Sequence, residues 1–544
     1  MITVYLRDWY FNAGIIGFLN VLSEGKRKID EINDTFENNL NISESFIEFD
    51  SKILDGFYDK YKRLTFDIFF NLDNYKERLN NFINKIKEPE SKITKKLLQD
   101  TALNGKIVNE FFEAISCQNL NNIFSGKNLN KNEILKEVEN IYQKLNQFNT
   151  NNDIYSVLKK ANSSFIDSFL TQEVTKRIFS YKKVANYIDN TLNKLDEPRN
   201  NNQRCFICGK LKKKEDFSNA ITQIIGFNSD NSNWIWGFNT AKTQICPLCA
   251  LIYSCAIHGM VFLNRKIDKD YKTFFYTINR NTDISTLYHS FWLFKEKLKQ
   301  KENQTKPFYT VLQEITFELI NQKVQAVMEN INFIEIAENQ FGGHSTKGYN
   351  VYNYNISKEL AELIKIIGIE GIPKGYYKDR NIYSDVTEEI LKKTFNYTLN
   401  FSDLYSYFEF FLRSLEPKSK ITTRFSISKI CNYIIKYIIV IKGGNKMEQE
   451  HIVKKAFSHG KALAQKVNQE NKIKGISYQL LNDLKIGDKN AFMDKYLRLC
   501  IGYGTEVKLG SNNELTDLDN FMSFGYSFVN GLLANLNKDS EKED

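Results

Sequence analysis

The chain has 544 residues, of which 42% are hydrophobic and 26% charged, and its formal net charge is +9 at pH 7. This balance excludes a disordered, collagen-like or membrane-embedded polypeptide and sets an expectation of about two to four globular domains. The excess of cations permits a polyanionic partner without requiring one.

The N-terminus opens MITVYLRDWY, with no charged leader followed by an apolar run. The most apolar window, Ile434–Ile441, is interrupted by Lys436 and falls short of the roughly 20 residues a bilayer span needs. Cys117, Cys255, Cys431 and Cys500 are scattered and suggest no disulfide framework, so a reducing cytoplasm and no membrane are expected.

Ile2–Arg7 alternates and is β-branched, which predicts a short strand. The following DWYFNAGIIGFLNVL places Gly14 and Gly17 one turn apart among large apolar residues, a small-residue face suited to close helix packing. Trp9 and Asn12 beside it suit either a ligand or the core. Residues 25–195 have mostly helical periodicity. Ile134, Val138, Ile141, Leu145 and Phe148 form one stripe, Asn149–Asp153 breaks it, and a second pattern over 156–184 ends in Lys176, Arg177, Lys182 and Lys183. Asp196–Gln203 (DEPRNNNQ) has the composition of a linker.

Arg204–Cys255 organises the chain. It holds two Cys-x-x-Cys pairs, Cys205 with Cys208 and Cys246 with Cys249, separated by 37 residues. Each pair on a tight turn aims two thiols at one point, and two such knuckles close a tetrahedral zinc site. Four cysteine ligands leave no open coordination position, so the expected zinc is structural. Cys255 and His258 lie just beyond and suit either spare ligands or ordinary core positions. Lys210, Lys212, Lys213 and Lys214 leave the first knuckle as phosphate contacts or as a solvated face. Trp234 and Trp236 either stack on bases or pack the knuckle.

Thr273–Asn279 reads as a strand and His289–Lys301 as a helix. Asn332–Ala337 and Tyr349–Ile356 alternate as a hairpin joined by Phe341–Gly348, whose Lys347 is a candidate nucleic-acid contact. Gly371–Tyr383 reads as a boundary. From Asp385 onward helix dominates. One face carries Ile452, Ala456, Gly460, Leu463 and Val467, the next Ile473, Ile476, Leu480 and Leu484. Asp488 caps a helix holding Phe492, Tyr496 and Leu499, and Phe521, Phe524, Phe528 and Leu532 mark the last. Short connections predict an antiparallel bundle. Residues 451–500 carry ten Lys/Arg against four Asp/Glu, whereas 501–544 carry three against eight. Lys472, Lys474 and Arg498 are the phosphate-contact candidates of the basic block.

The expected fold class is therefore α+β and predominantly helical, with a zinc-stapled mixed region in the middle and a C-terminal helical bundle. The expected domains are 1–200, a mainly helical domain starting with a short strand; 201–375, a zinc-binding and β-hairpin region; 376–446, a helical connector; and 447–544, the bundle. No phosphate loop, HExxH, GGDD or His-Asp doublet is present, and the five histidines are dispersed. His451 and His459 flank a basic helix as at best phosphate contacts. Recognition or scaffolding is expected in place of catalysis; the alternatives are a zinc-containing nucleic-acid-modifying enzyme and a protein-interaction scaffold.

Three stretches, YLRDWYFNAGIIGFLNVL, CFICGK…ICPLCALIYSCAIHG and ENKIKGISYQLLNDLKIGDKNAFMDKYLRLCIGYG, together resemble the large subunit of the type I-B CRISPR interference complex, Cascade. The resemblance implies a non-enzymatic subunit near the 5′ handle of the guide RNA. It implies reading of a short protospacer-adjacent motif in target DNA, help in opening the duplex, and docking of a helicase-nuclease. Backbone and small subunits are further implied partners, and the C-terminal bundle is similar to the small subunit. Met447 follows Lys442-Gly443-Gly444-Asn445-Lys446, whose codons contain GGNGG shortly before AUG, as in a ribosome-binding site. This suggests that the bundle is also made separately from Met447; the other reading of the two glycines is an interdomain turn.

Overall fold

The computed structural model describes residues 1–88, 95–123, 131–161, 163–175, 181–193, 204–209, 215–216, 244–267, 270–279, 283–300, 314, 331–338, 349–380, 382–442, 446–507 and 517–536. The fold is mixed α+β and dominated by helix, with small sheets, four clustered cysteines in its middle region and helices at its C-terminal end. Two compact units divide the chain. The first comprises Met1–Lys295 with Phe333–Asn353, the second Glu296–Asn332 with Tyr354–Asp544. Among the described residues no helix is long and apolar enough to cross a membrane.

The first unit is built on the helix Trp9–Leu22. The Asp8 side chain caps it by accepting the N–H groups of Tyr10 and Phe11, and every residue from Tyr10 to Leu22 is buried. A helix that is apolar all round must lie inside, because no face of it suits water. Above it lies an antiparallel sheet in the order β1-β3-β2, formed by β1 (Ile2–Tyr5), β2 (Leu40–Ile42) and β3 (Phe46–Phe49), with Ile2 opposite Phe49. Phe18 of the helix stacks on Phe49 and on Phe57, with ring centroids 5.2 and 5.0 Å apart. Strands β2 and β3 fall where helical periodicity dominates the sequence; three or four residues are too few to show a two-residue repeat.

The helices Lys131–Asn146, Asn151–Lys160, Phe165–Thr175 and Lys182–Asn193 follow. Ile134, Val138, Ile141 and Leu145 are buried as the stripe predicted, with Phe148 at its edge. The break comes earlier than expected. Thr150 forms a capping box with Asp153, so the next helix already starts at Asn151. The pattern over 156–184 belongs to parts of three helices; Lys182 and Lys183 are exposed, and Lys176 and Arg177 lie outside the described residues.

In the middle of the chain β4 (Glu215–Asp216) pairs antiparallel with β5 (Gln244–Ile245). A four-stranded sheet then runs β6-β7-β8-β9, from β6 (Val261–Ile267), β7 (Asp270–Asn279), β8 (Ile331–Glu338) and β9 (Tyr349–Ile356). The expected strand and hairpin are present in it. The helix near His289 starts earlier, at Ile284, and runs to Lys299.

In the second unit, β10 (Gly375–Asp379), β11 (Ile382–Asp385) and β12 (Ile421–Phe425) form a sheet in the order β11-β10-β12. The hairpin β10–β11 occupies the stretch read as a boundary. The helix Val386–Phe395 packs on β10 and β11, Phe401–Ser414 and Ile427–Lys442 pack with Lys446–Val467, Glu470–Ile486 and Leu518–Leu533, and Lys489–Gly502 packs on Glu470–Ile486. Ile452, Ala456, Gly460, Leu463 and Val467 are buried together as predicted. Gly460 and Gly531 explain how closely Lys446–Val467 approaches Leu518–Leu533. A Cβ at either would stand 2.1 Å from a carbonyl oxygen of the other helix, Phe528 O or Phe457 O. In the third bundle helix the buried residues are Phe492, Tyr496 and Cys500, so Cys500 takes the place expected for Leu499.

Candidate metal centre

The first knuckle, Arg204–Gly209, is a turn closed by the Gly209 N–H donating to Cys205 O at 2.8 Å. Gly209 has φ +67°, the left-handed region in which a Cβ is strained, so the residue after Cys208 is set by backbone geometry. The second knuckle opens a helix. β5 delivers Cys246 to the cap of Pro247–Ser254; Pro247 takes the first helical position and Cys249 the third. The Cys246 sulfur accepts the Cys249 N–H at 3.4 Å, and the Cys205 sulfur accepts the Cys246 N–H at 3.3 Å. Backbone N–H groups at a helix start favour the thiolate form of these sulfurs.

The four sulfurs come together as the sequence predicted. All lie within 4.8 Å of one another, and Cys208 Sγ stands 3.9 Å from Cys246 Sγ. A tetrahedral zinc–sulfur distance of roughly 2.3 Å implies sulfurs roughly 3.8 Å apart. Cys205, Cys246 and Cys249 are buried and Cys208 is half-buried. Hydrogen bonds from Cys208, Cys246 and Cys249 hold the Cys205 thiol far below its ordinary range. The same contact to Cys205 pushes Cys246 and Cys249 far above theirs. Buried sulfurs this close cannot all ionise unless a cation sits among them, and a soft four-sulfur donor set fits zinc.

The site is anchored from below by backbone contact. A Cβ on Gly14 would lie 2.4 Å from Ile252 O, one on Gly17 1.8 Å from Cys255 O, and one on Gly259 2.0 Å from Ala13 O. The glycines expected to make a close-packing face do so: Gly14 packs against the helix that carries Cys249, and Gly17 against Cys255 and Gly259 just after it. Asn12 is likewise a core residue, donating to Asn279 Oδ1 at 3.0 Å. Tyr253 Oη donates to Asp8 Oδ2 at 3.1 Å, Tyr61 Oη to Ser254 O at 2.9 Å, and Asn20 Nδ2 to His258 O at 2.8 Å. Asp8, Asn12, Asn20 and Tyr61 support the site from more than 140 residues away in sequence, and the Cys-x-x-Cys spacing does not point to them.

Cys255 and His258 are core residues and not part of the four-sulfur cluster. His258 lies in a tight 3-10 turn, edge-on to Tyr61, with Nε2 3.2 Å from Thr65 Oγ1. Thr65 Oγ1 donates to Tyr61 O, so it accepts the proton of His258 Nε2. Nδ1 has no hydrogen-bond partner, and burial together with Lys295 lowers the imidazole to about 3.

Of the basic candidates, Lys210, Lys212, Lys213, Lys214 and Lys347 lie outside the described residues, as do Trp234, Trp236 and the Phe341–Gly348 loop. Lys472 is exposed, with its ammonium 5.4 Å from the centroid of the Tyr503 ring. Lys474 donates to Leu415 O at the end of the Phe401–Ser414 helix, at 3.4 Å. Arg498 is paired with Asp494 one turn earlier. Two of these three cations therefore already have intrachain partners. His459 is buried, with Nδ1 2.8 Å from Tyr496 Oη, which corrects its reading as a phosphate contact; His451 is exposed.

Residues 199–261, which contain both cysteine pairs and the helix between Pro247 and Ser254, match the model of the family described as CRISPR-associated protein (Cas_CXXC_CXXC). The matched segment is similar to that of CRISPR-associated proteins. Comparison with curated proteins and with solved structures returns no match.

Proposed function

We propose that this chain is the large subunit of a type I-B CRISPR interference complex and that it acts by binding and holding nucleic acid, without catalysis. The observation that carries the proposal is the CRISPR-associated match over both cysteine pairs, at the place where the structure gathers four sulfurs. Cys205, Cys208, Cys246 and Cys249 hold a structural zinc. Bound there, the metal supplies cross-linking energy and no open coordination position. The chain's own residues fix the rest: Gly209 closes one knuckle, and the buried Trp9–Leu22 helix carries the other.

In this reading the protein contacts the guide RNA 5′ handle and target DNA. It reads the protospacer-adjacent motif, helps to open the duplex and offers a docking face to the helicase-nuclease. The basic helices after Met447, where the helix Lys446–Val467 starts, are also made separately as the small subunit.

The test is purification of the untagged full chain with the products of its neighbouring genes. Expected are a complex with a backbone subunit and guide RNA, about one zinc per chain by elemental analysis, a second species starting at Met447, and target binding without turnover. A chain that purifies alone and cleaves or modifies nucleic acid would overturn the proposal in favour of an enzyme.

A further inference from the structure

The sheet β11-β10-β12 has two unlike faces. Its antiparallel register puts Tyr377 opposite Thr423 and Ser384, and Gly375 opposite Phe425. This is the inner face. The Tyr377 ring stacks on Phe410 at 4.4 Å, its hydroxyl donates to Glu389 at 3.2 Å, and Phe425 is buried. On the other face Tyr376 stands opposite Arg424, and Lys378 opposite both Tyr383 and Thr422. Lys378, Tyr383, Thr422 and Arg424 are exposed, Tyr383 to 60%. The Tyr376 and Tyr383 rings lie side by side with centroids 4.9 Å apart. Half-buried and exposed tyrosines on an open sheet do nothing for the core, yet two of them are aligned here.

The charge around these rings is mainly positive. Lys378 and Arg424 flank them, and Arg380 and Lys420 stand at the end of the hairpin, all exposed. Asp385 stands opposite Tyr376 on this same face, where its carboxylate caps the helix Val386–Phe395. Arg380 also holds φ +55° in the β10–β11 turn, where glycine or asparagine would be unstrained. The hairpin thus keeps a cation at a position where backbone preference argues against it.

We propose that this face is a platform for unpaired DNA. Bases stack on Tyr383 and Tyr376, and Lys378, Arg380 and Arg424 take the phosphates. A duplex keeps its base faces covered by its own stack, whereas an unpaired strand offers them to aromatic rings. Apart from Asp385, the polar side chains named on the face are cations and hydroxyls, which favour binding tolerant of sequence. The inference rests on the nucleic-acid reading above and gives it a site that sequence reasoning passed over.

The experiment uses the full chain and fluorescence anisotropy with one mixed sequence presented as single-stranded DNA, as duplex DNA and as single-stranded RNA. The wild type is expected to bind the single DNA strand. Tyr376→Ala with Tyr383→Ala should weaken that binding about tenfold or more, given the usual worth of base–aromatic stacking, and leave duplex binding in place. The paired Phe substitutions should retain the affinity. Lys378→Glu with Arg424→Glu, which leaves the rings intact, should weaken binding and flatten its salt dependence. Arg380→Gly should weaken binding while making the hairpin more resistant to unfolding, an outcome that loss of fold cannot mimic. A wild type that binds nucleic acid, with alanine and glutamate variants that bind it equally well, overturns the platform and leaves the nucleic-acid reading standing. A loss confined to RNA overturns the choice of DNA. A wild type that binds none of the three overturns both.

Discussion

Replacing Gly17 by alanine tests the coupling between the first helix and the cysteine site. Taken alone, the change should help, since alanine is favoured over glycine within a helix by about 1 kcal/mol. The surroundings reverse the sign. The new Cβ would stand 1.8 Å from Cys255 O and 2.8 Å from Gly259 N, whereas ordinary contact begins at 3.4 Å. Both neighbours are backbone, so no side chain can turn away, and the two segments must part by about 1.6 Å. A gap of even 0.5–1 Å forfeits roughly a quarter to a half of each dispersion contact across it, and overpacked cores typically lose about 1–3 kcal/mol. The expected net is a local destabilisation of about 2 kcal/mol, or roughly thirtyfold more frequent opening. Gly475 is the control. It lies within the helix Glu470–Ile486, is exposed, and a Cβ there meets nothing within 4 Å. Gly475→Ala should stabilise its helix by about 0.5–1 kcal/mol. Hydrogen exchange read by mass spectrometry separates the two. Peptides over 9–22 and 247–259 should lose protection in Gly17→Ala, and those over 470–486 should gain it in Gly475→Ala. Unchanged protection in Gly17→Ala would refute the backbone contact.

Cys246→Ser should lower bound zinc from about one per chain to near zero, measured by elemental analysis on the folded variant; retention of metal would refute the ligand set. Lys495 donates to both oxygens of Asp483 at 2.7 Å, and the Asp483 side chain is 8% exposed. Lys495→Met should therefore cost about 3 kcal/mol by leaving a buried carboxylate unpaired, and adding Asp483→Asn should recover most of it in urea melts of the second unit. His258 is neutral in the fold, with its pKa lowered by burial and by Lys295 from 6.5 to about 3. The unfolded chain then binds a proton that the folded one refuses. First-unit stability should be level above pH 6.5 and fall on acidification toward pH 3 by up to about 1.4 kcal/mol per unit. Because acid also strips metal from thiolates, the measurement is the difference in slope between wild type and His258→Gln.

What could be read in the sequence was what short-range chemistry states. The paired Cys-x-x-Cys spacing named the four cysteines that cluster, and the Ile452–Val467 stripe named a buried face, because both are repeats that a few residues can show. Contacts set by tertiary structure were silent. Gly460 and Gly531 meet across 71 residues, and Lys474 looks like a free cation until its ammonium is seen on the Leu415 carbonyl. In Gly371–Tyr383 the glycines and proline outweighed a real alternation: Tyr376 and Lys378 on one side, Tyr377 and Asp379 on the other. The positive run beside those tyrosines was the available signal for the sheet platform. His459 misled because a histidine among lysines gives no hint that its ring is turned inward onto Tyr496.

The two knuckles do not contribute equally to the site. The Pro247–Ser254 helix has eight residues, too few to persist alone in water. It is nevertheless fixed without help from the sulfurs, through the glycine contacts to the Trp9–Leu22 helix and through Tyr61, Asn20 and Tyr253. Cys246 and Cys249 are thereby preorganised by the core. The first knuckle meets the second where the Cys246 N–H donates to the Cys205 sulfur. A metal joining the four sulfurs would therefore spend little of its binding energy on ordering the second knuckle. Such a metal would join Arg204–Gly209 to that prearranged pair. A staple of this kind would start from one end already placed by the core, which is why the glycines of the first helix matter to the candidate site.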